Sequence, residues 1–271
     1  MKIQHADRVR YEVNPLIEVV AQLRFTPIFA LEKEVLPAIQ SQLHDAGFSV
    51  LKSEKLASIT VTLNASADTV PEIGQSSHSS DSTQIYHFST TNQSHTFSVC
   101  RDFIALTTRD YSEWAEFFSK LKTLCGIFET SFRPIAISRV GLRYKDLIER
   151  EPLGLEGMLW SDLLKPIVAG FLSTSGFVDS VDESRVLQQT SQTVLQLSDC
   201  ELLLQSALLR AADDPSKQAF LIDSDFYVVS EPSVEMDVVL SSIDTIHRSA
   251  NSVFQNCIKE PLSVALRPIA G

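Results

Sequence analysis

Glycine and sulfur are scarce in this chain: 9 glycines, 4 cysteines and 3 methionines among 271 residues. No glycine-rich phosphate loop and no G-x-S-x-G nucleophile turn can be found. Cys100, Cys125, Cys200 and Cys257 stand far apart without a C-x-x-C pair, so neither a zinc box nor a dithiol redox motif is indicated. No apolar run approaches the roughly 20 residues of a membrane helix. The opening MKIQHADRVRYEVN carries charges where a secretory leader needs an apolar centre. Positive charge is also short: 23 Lys and Arg against 34 Asp and Glu give a net charge of −11. Such a surface repels phosphate backbones, which argues against non-specific nucleic-acid binding. The absences together point to a cytoplasmic protein with reduced thiols, off the membrane, without a metal or resident cofactor, and suited to docking on a basic protein surface.

What is present is ordinary core material: 44% of residues are hydrophobic, enough for one large domain or two small ones. Residues 16–25 are apolar and β-branched and read as a buried strand. Residues 31–46 have helical spacing, with Pro37 marking a kink or a start and Gly47 a C-cap. Residues 49–64 read as one or two strands, and 65–82, rich in Ser, Asp and Thr, as a mobile loop containing a solvated His78. Three strands follow over 84–89, 96–100 and 103–108, then an amphipathic helix over 111–128 with Trp114, Phe117, Leu121, Leu124 and Phe128 on one stripe. The second half begins with a strand over 135–144. It continues with a helix over 158–170, strands over 184–197, 201–209 and 218–230, and a helix over 234–258.

Each half therefore runs strand, helix, several antiparallel strands, helix, and Leu23-Arg24-Phe25 is echoed by Leu142-Arg143-Tyr144. The expected fold class is α+β: two similar units, 1–134 and 135–271, packed as one body. Their strands would join into a long antiparallel curved sheet with helices on one face. This order of elements is similar to that of the TATA-binding-protein saddle, an analogy that carries no function.

The strand period of two sorts the echoed segments. Val140, Leu142 and Tyr144 share one face; Arg139, Gly141 and Arg143 share the other, with Arg24 in the matching place of the first unit. Gly141 would leave room between the arginines for a ligand or a partner's backbone. Three arginines could grip a carboxylate or phosphate, or pair internally with Glu18, Asp146, Asp223 or Asp225. Asp223 and Asp225 form a D-x-D on one strand face, a spacing that can bridge a divalent cation, but no third acidic ligand stands at a fixed spacing. Pairing with the arginines is the stronger reading. His247 lies in the closing helix with Asp244 three residues back as its candidate partner.

Four stretches, YEVNPLIEVVAQLRF, ISRVGLRYKD, FLIDSDFYV and IDTIHRSANSVFQNCI, together resemble an uncharacterised bacterial family of about 250 residues known only as sporadically distributed. Lys145-Asp146 stands where that family typically shows a small apolar residue and Asn, which puts a role for this turn's side chain in doubt. The resemblance implies no activity or cofactor. A patchy distribution implies antitoxin, immunity or phage-defence work better than core metabolism. The expectation is a non-enzymatic interaction module with a basic protein partner, and self-association as a dimer is compatible with it. The alternative is a small anionic ligand held by Arg24, Arg139 and Arg143, and a hydrolase built on Asp223, Asp225 and His247 stands behind both.

Overall fold

Residues 16–25 alternate as a strand buried on one face should, and they form one: in Leu16–Phe25 (β2), Val19, Ala21, Leu23 and Phe25 are buried while Arg24 is exposed. The structure is a computed structural model and describes residues 9–28, 35–60, 77–132, 136–174, 182–210, 217–233 and 235–269. Before β2 lies a short strand, Arg10–Tyr11 (β1). After it come α1 (Val35–Asp45), β3 (Val50–Thr60), β4 (Ser77–Ser89), β5 (His95–Val99), β6 (Phe103–Thr108) and α2 (Trp114–Phe132). The second half contains β7 (Ile137–Glu149), α3 (Trp160–Leu163), α4 (Pro166–Ala169), β8 (Gln189–Gln196), β9 (Glu201–Arg210) and β10 (Gln218–Ser233). It closes with α5 (Met236–Cys257), α6 (Glu260–Ala265) and β11 (Pro268–Ile269).

Nine strands form one antiparallel sheet in the order β3-β4-β5-β6-β2-β7-β10-β9-β8. The fold is α+β. Outward from the β2–β7 seam both halves run the same way: the last strand before the long helix lies next to the seam strand, and the earliest lies at the edge. The second half has one strand fewer. One continuous core joins the halves. Val19, Leu23, Leu142, Phe220 and Phe226 on the sheet pack with Phe117, Leu121, Leu124 and Phe128 of α2 and Val239, Ile243, Ile246 and Val253 of α5. The opposite sheet face carries the polar phase of the same strands.

Local chemistry explains where elements stop. Pro37 sits in the first turn of α1, where its missing N–H is not required. Gly47, at φ 91°, ends that helix: its N–H reaches the His44 carbonyl at 2.9 Å and the Phe48 N–H reaches Leu43 at 2.8 Å, a Schellman closure. The single helix expected over 158–170 is instead two short ones. Pro166 cannot donate to a preceding turn, so Leu164 is extended and bridges Ile258. The loop expected over 65–82 is corrected at its end, because 77–82 belong to β4 and His78 stands opposite Ile59; residues 65–76 lie outside those described. The strand expected over 184–197 begins later, after a 3-10 turn at Glu183–Arg185. The pairing of β1 with β11 was not anticipated, and it brings residues 10–11 onto 268–269.

Gly47→Ala should destabilise the protein by about 1–2 kcal/mol, because no atom lies within 4 Å to clash with the added Cβ and the cost is backbone strain alone. Urea unfolding measures this; an unchanged midpoint would mean that the turn does not hold α1.

Candidate functional site

The open face of the sheet centres on the arginines. β7 runs antiparallel to β10, so Arg143 stands opposite Asp225, Lys145 opposite Asp223 and Gly141 opposite Tyr227. The ion pairs run diagonally. Arg143 grips Asp223 with two nitrogens, Nε donating to Oδ1 at 2.7 Å. Arg139 donates to Asp225 Oδ2 at 2.9 Å and to Gln22 Oε1 at 3.3 Å, and its guanidinium lies 4.6 Å from the Tyr227 ring centre. A Cβ on Gly141 would meet Arg139 Nη1 at 2.8 Å. The space at Gly141 is thus filled by the chain's own arginine, contrary to the expectation of room for a ligand. Arg24 is exposed and donates to Gln22 Oε1 at 3.3 Å. Lys145 and Arg109 both donate to Glu18, at 2.6 and 3.1 Å.

Electrostatics on this face balance internally. The hydrogen bonds that Arg143 donates to Asp223 push its guanidinium above its ordinary value. Burial pushes the Asp225 carboxyl up, and the charges of Arg139 and Arg143 offset only part of that. At Glu18 burial acts upward too, but Lys145 and Arg109 outweigh it and hold the carboxyl low. The cations Arg139, Arg143 and Lys145 each have a carboxylate partner, which leaves the face a near-neutral ladder rather than an anion clamp.

The other face holds a cavity of about 190 Å³ between the sheet and α5, roofed by β1. Tyr144 and Asp146 of β7, Ser224 and Phe226 of β10, and His247, Ala250 and Phe254 of α5 reach into it. His247 stacks on Trp114, with ring centres 3.9 Å apart and planes within 8°, and its Nδ1 lies 2.8 Å from the Tyr144 hydroxyl. Asp244, the expected partner of His247, accepts from Trp114 Nε1 at 2.9 Å instead. Tyr111 meets Tyr144 edge-on, with centres 6.5 Å apart. In the roof, the Tyr11 hydroxyl accepts from Gln255 Nε2 at 2.7 Å and lies 3.1 Å from Ser263 Oγ.

Asp146 is the unexpected group. It shares the core-facing phase with Val140, Leu142 and Tyr144, so it does not reach the arginines, and it lies in a strand rather than a turn. It is 5% exposed, and among the described residues no hydrogen bond or ion pair reaches its carboxyl. Burial, helped by the charge of Asp223, pushes it up to about 8. Such displacement of a cavity carboxyl marks a functional candidate. The cysteines are all buried free thiols, raised by burial to about 11 (Cys100, Cys200) or about 12 (Cys125, Cys257), and are poor nucleophiles. Among the described residues no group of three or more His, Cys, Asp or Glu could hold a metal ion, and no helix is long and apolar enough to cross a membrane.

Of the residues singled out in the sequence, Arg139, Gly141, Arg143, Asp223 and Asp225 come together on the open face, with Arg24 at its side. His247 lies on the opposite face, in the cavity. Asp146, Tyr111, Tyr11 and Ser224 were missed as site residues. Comparison with known proteins finds no matching family model and no matching curated protein.

Two outcomes follow. Gly141→Ala should cost about 1 kcal/mol by displacing Arg139 from Tyr227 and Asp225, and the cost should vanish in an Arg139→Ala background; additive losses in the double-mutant cycle would contradict the packing. Asp146 ionises more readily unfolded than folded, so its contribution to stability is full below pH 4 and is lost as pH rises towards 8. Asp146→Asn should therefore match the parent near pH 4 and exceed it by a few kcal/mol near pH 8, read from urea unfolding across that range. Parallel pH profiles would refute the burial argument.

Proposed function

We propose that this protein is a non-enzymatic small-molecule-binding module whose site is the cavity between β7, β10 and α5. The observation that carries this reading is a buried carboxyl that no hydrogen bond or ion pair reaches among the described residues, set in the wall of an aromatic-lined cavity. Ligand sites are typically apolar enclosures with a few converging polar groups, and perturbed titrating groups concentrate in them. Here Tyr11, Tyr111, Phe226 and Phe254 supply the apolar walls, and Asp146, His247 and Ser224 the polar points. By comparison with cavities of about 150 Å³ that hold benzene, the volume suits a ligand of roughly eight heavy atoms.

Two further observations support the placement. The arginines that would hold an anion on the open face are engaged by Asp223 and Asp225. In addition, the four stretches that resemble the sporadically distributed family converge on the cavity. They supply Tyr11 and Asn14, Tyr144 and Asp146, Ser224 and Phe226, and His247, Ala250 and Phe254. Membership of that family belongs to this proposal. A binder that senses a small molecule and presents an acidic surface to a protein partner accommodates the expected interaction role as well.

Ala250→Phe fills the cavity from the helix side and provides the test. In a thermal-shift screen of compounds of about eight heavy atoms, a ligand at 100 times its Kd should stabilise the parent by about 2.7 kcal/mol. The variant should keep its circular dichroism spectrum and lose that gain. Hits that persist in Ala250→Phe, or that perturb amide resonances of Arg139 and Arg143 rather than those of Asp146 and His247, would overturn the assignment.

A further inference from the structure

We infer that the cavity takes a small aromatic amine, its protonated nitrogen paired with Asp146 and its ring packed among the aromatic walls; this rests on the cavity being the ligand site. Asp146 is nine-tenths buried, lines the cavity, and is reached by no hydrogen bond or ion pair among the described residues. A carboxyl in that state lacks a partner, and a cationic donor is the strongest one it can be given. The titratable and charged groups on the elements around it are Tyr144 on its own strand, Asp223 on β10, and His247 and Cys257 on α5. Tyr11 and Arg10 of β1, Tyr111 ahead of α2, and Lys165, whose charge bears on Cys257, stand with them. Of these, Asp223 is the one whose charge bears on Asp146, and it is negative. Once ionised, Asp146 itself supplies the negative charge that favours a cation over an anion.

The walls favour the same class. The rings of Tyr111, Tyr144 and Phe226 are arranged edge-on about Tyr144, with centres 6.5 and 6.4 Å apart. Phe254 meets the roof residue Tyr11 at 6.1 Å. Ring faces attract a cation and bury an apolar body. A neutral ligand of the same shape would use the walls and hydrogen-bond the protonated carboxyl, without the added strength of an ion pair. An aromatic carboxylate could form no ion pair with Asp146 and would repel it on ionisation.

The proton balance is explicit. Before binding, the Asp146 carboxyl carries its proton at neutral pH, since burial has raised it to about 8. An arriving ammonium group keeps its own protons; the carboxyl releases its proton to solvent and becomes the counter-ion. Binding at pH 7 should therefore release about one proton per ligand, and affinity should rise with pH towards 8.

Benzylamine, benzyl alcohol and phenylacetate are the probes, used on the full chain with Asp146→Asn and Ala250→Phe beside it. Calorimetry at pH 7 in two buffers of different ionisation enthalpy counts the protons. The expected result is tightest binding by benzylamine, release of about one proton, and a loss of at least about tenfold in Asp146→Asn. Asp146→Asn should unfold at no lower urea concentration than the parent, so lost binding is not lost folding. If benzyl alcohol binds as well as benzylamine, both indifferent to Asp146→Asn but abolished by Ala250→Phe, the amine class is wrong and the cavity reading stands. Preferential binding of phenylacetate also overturns the amine class. If none of the three binds, the amine inference falls, and a screen with no hit sensitive to Ala250→Phe removes the cavity reading with it.

Discussion

Where β2 meets β7, residues distant in the chain form one ladder: Val19 lies opposite Tyr144, Ala21 opposite Leu142 and Leu23 opposite Val140. All six side chains are buried. Without this pairing the molecule would be two half-sheets, each with an exposed apolar edge strand, and neither half alone could cover the helix of the other. The seam also fixes what lies on either side of it. It aligns β7 so that one phase of its side chains faces α5 and the other faces outward, and β10 inherits that alignment. Both the arginine ladder and the cavity are consequences of a single register; a slip of one residue would exchange them.

The two faces show how differently a carboxylate fares once it is taken from water. On the outer face Asp223, at 5% exposure, is as buried as Asp146, yet Arg143 answers it with two hydrogen bonds. On the inner face Asp146 stands opposite Ile222 of β10 and Leu16 of β2, and the cavity it faces is lined mainly by rings and apolar chains, none of them an ionic partner. Among the described residues no charge or hydrogen bond answers the desolvated carboxyl there, so the group keeps its proton. Nothing in the residue type separates the two cases. Strand parity does.

Parity is also what made most of the fold legible in the sequence and one part of it invisible. Alternation in 16–25 and 135–144 marked the seam strands, and helical spacing marked α2 and α5, because each element buries a single face. Asp146 was hidden by ending the strand at Tyr144. Carried on to Glu149, the same alternation places an acidic residue in the apolar phase after Val140, Leu142 and Tyr144, and that is the signal that would have found it. Gly141 was read as open space because a sequence does not show that Arg139 folds back over it. The break in 158–170 was announced by Pro166, whose effect the apolar spacing masked. The β1–β11 pair joins the first and last described segments, and no local pattern encodes a contact of that range.

The same β1–β11 pair governs time rather than affinity. Two residues on each strand, the Glu12 and Val13 amides on Arg267 and Leu266, and an exposed Glu12–Arg267 ion pair hold the roof in place. Arg267 adopts φ 58°, a left-handed conformation that costs an L-residue about 1 kcal/mol. Ladders so short open far more often than the seam beneath them. Amide exchange at Glu12 and Val13 would then be orders of magnitude faster than in β2. A molecule beneath the roof would be released more readily when that ladder opens, so its residence time would depend in part on a backbone hinge remote from Asp146.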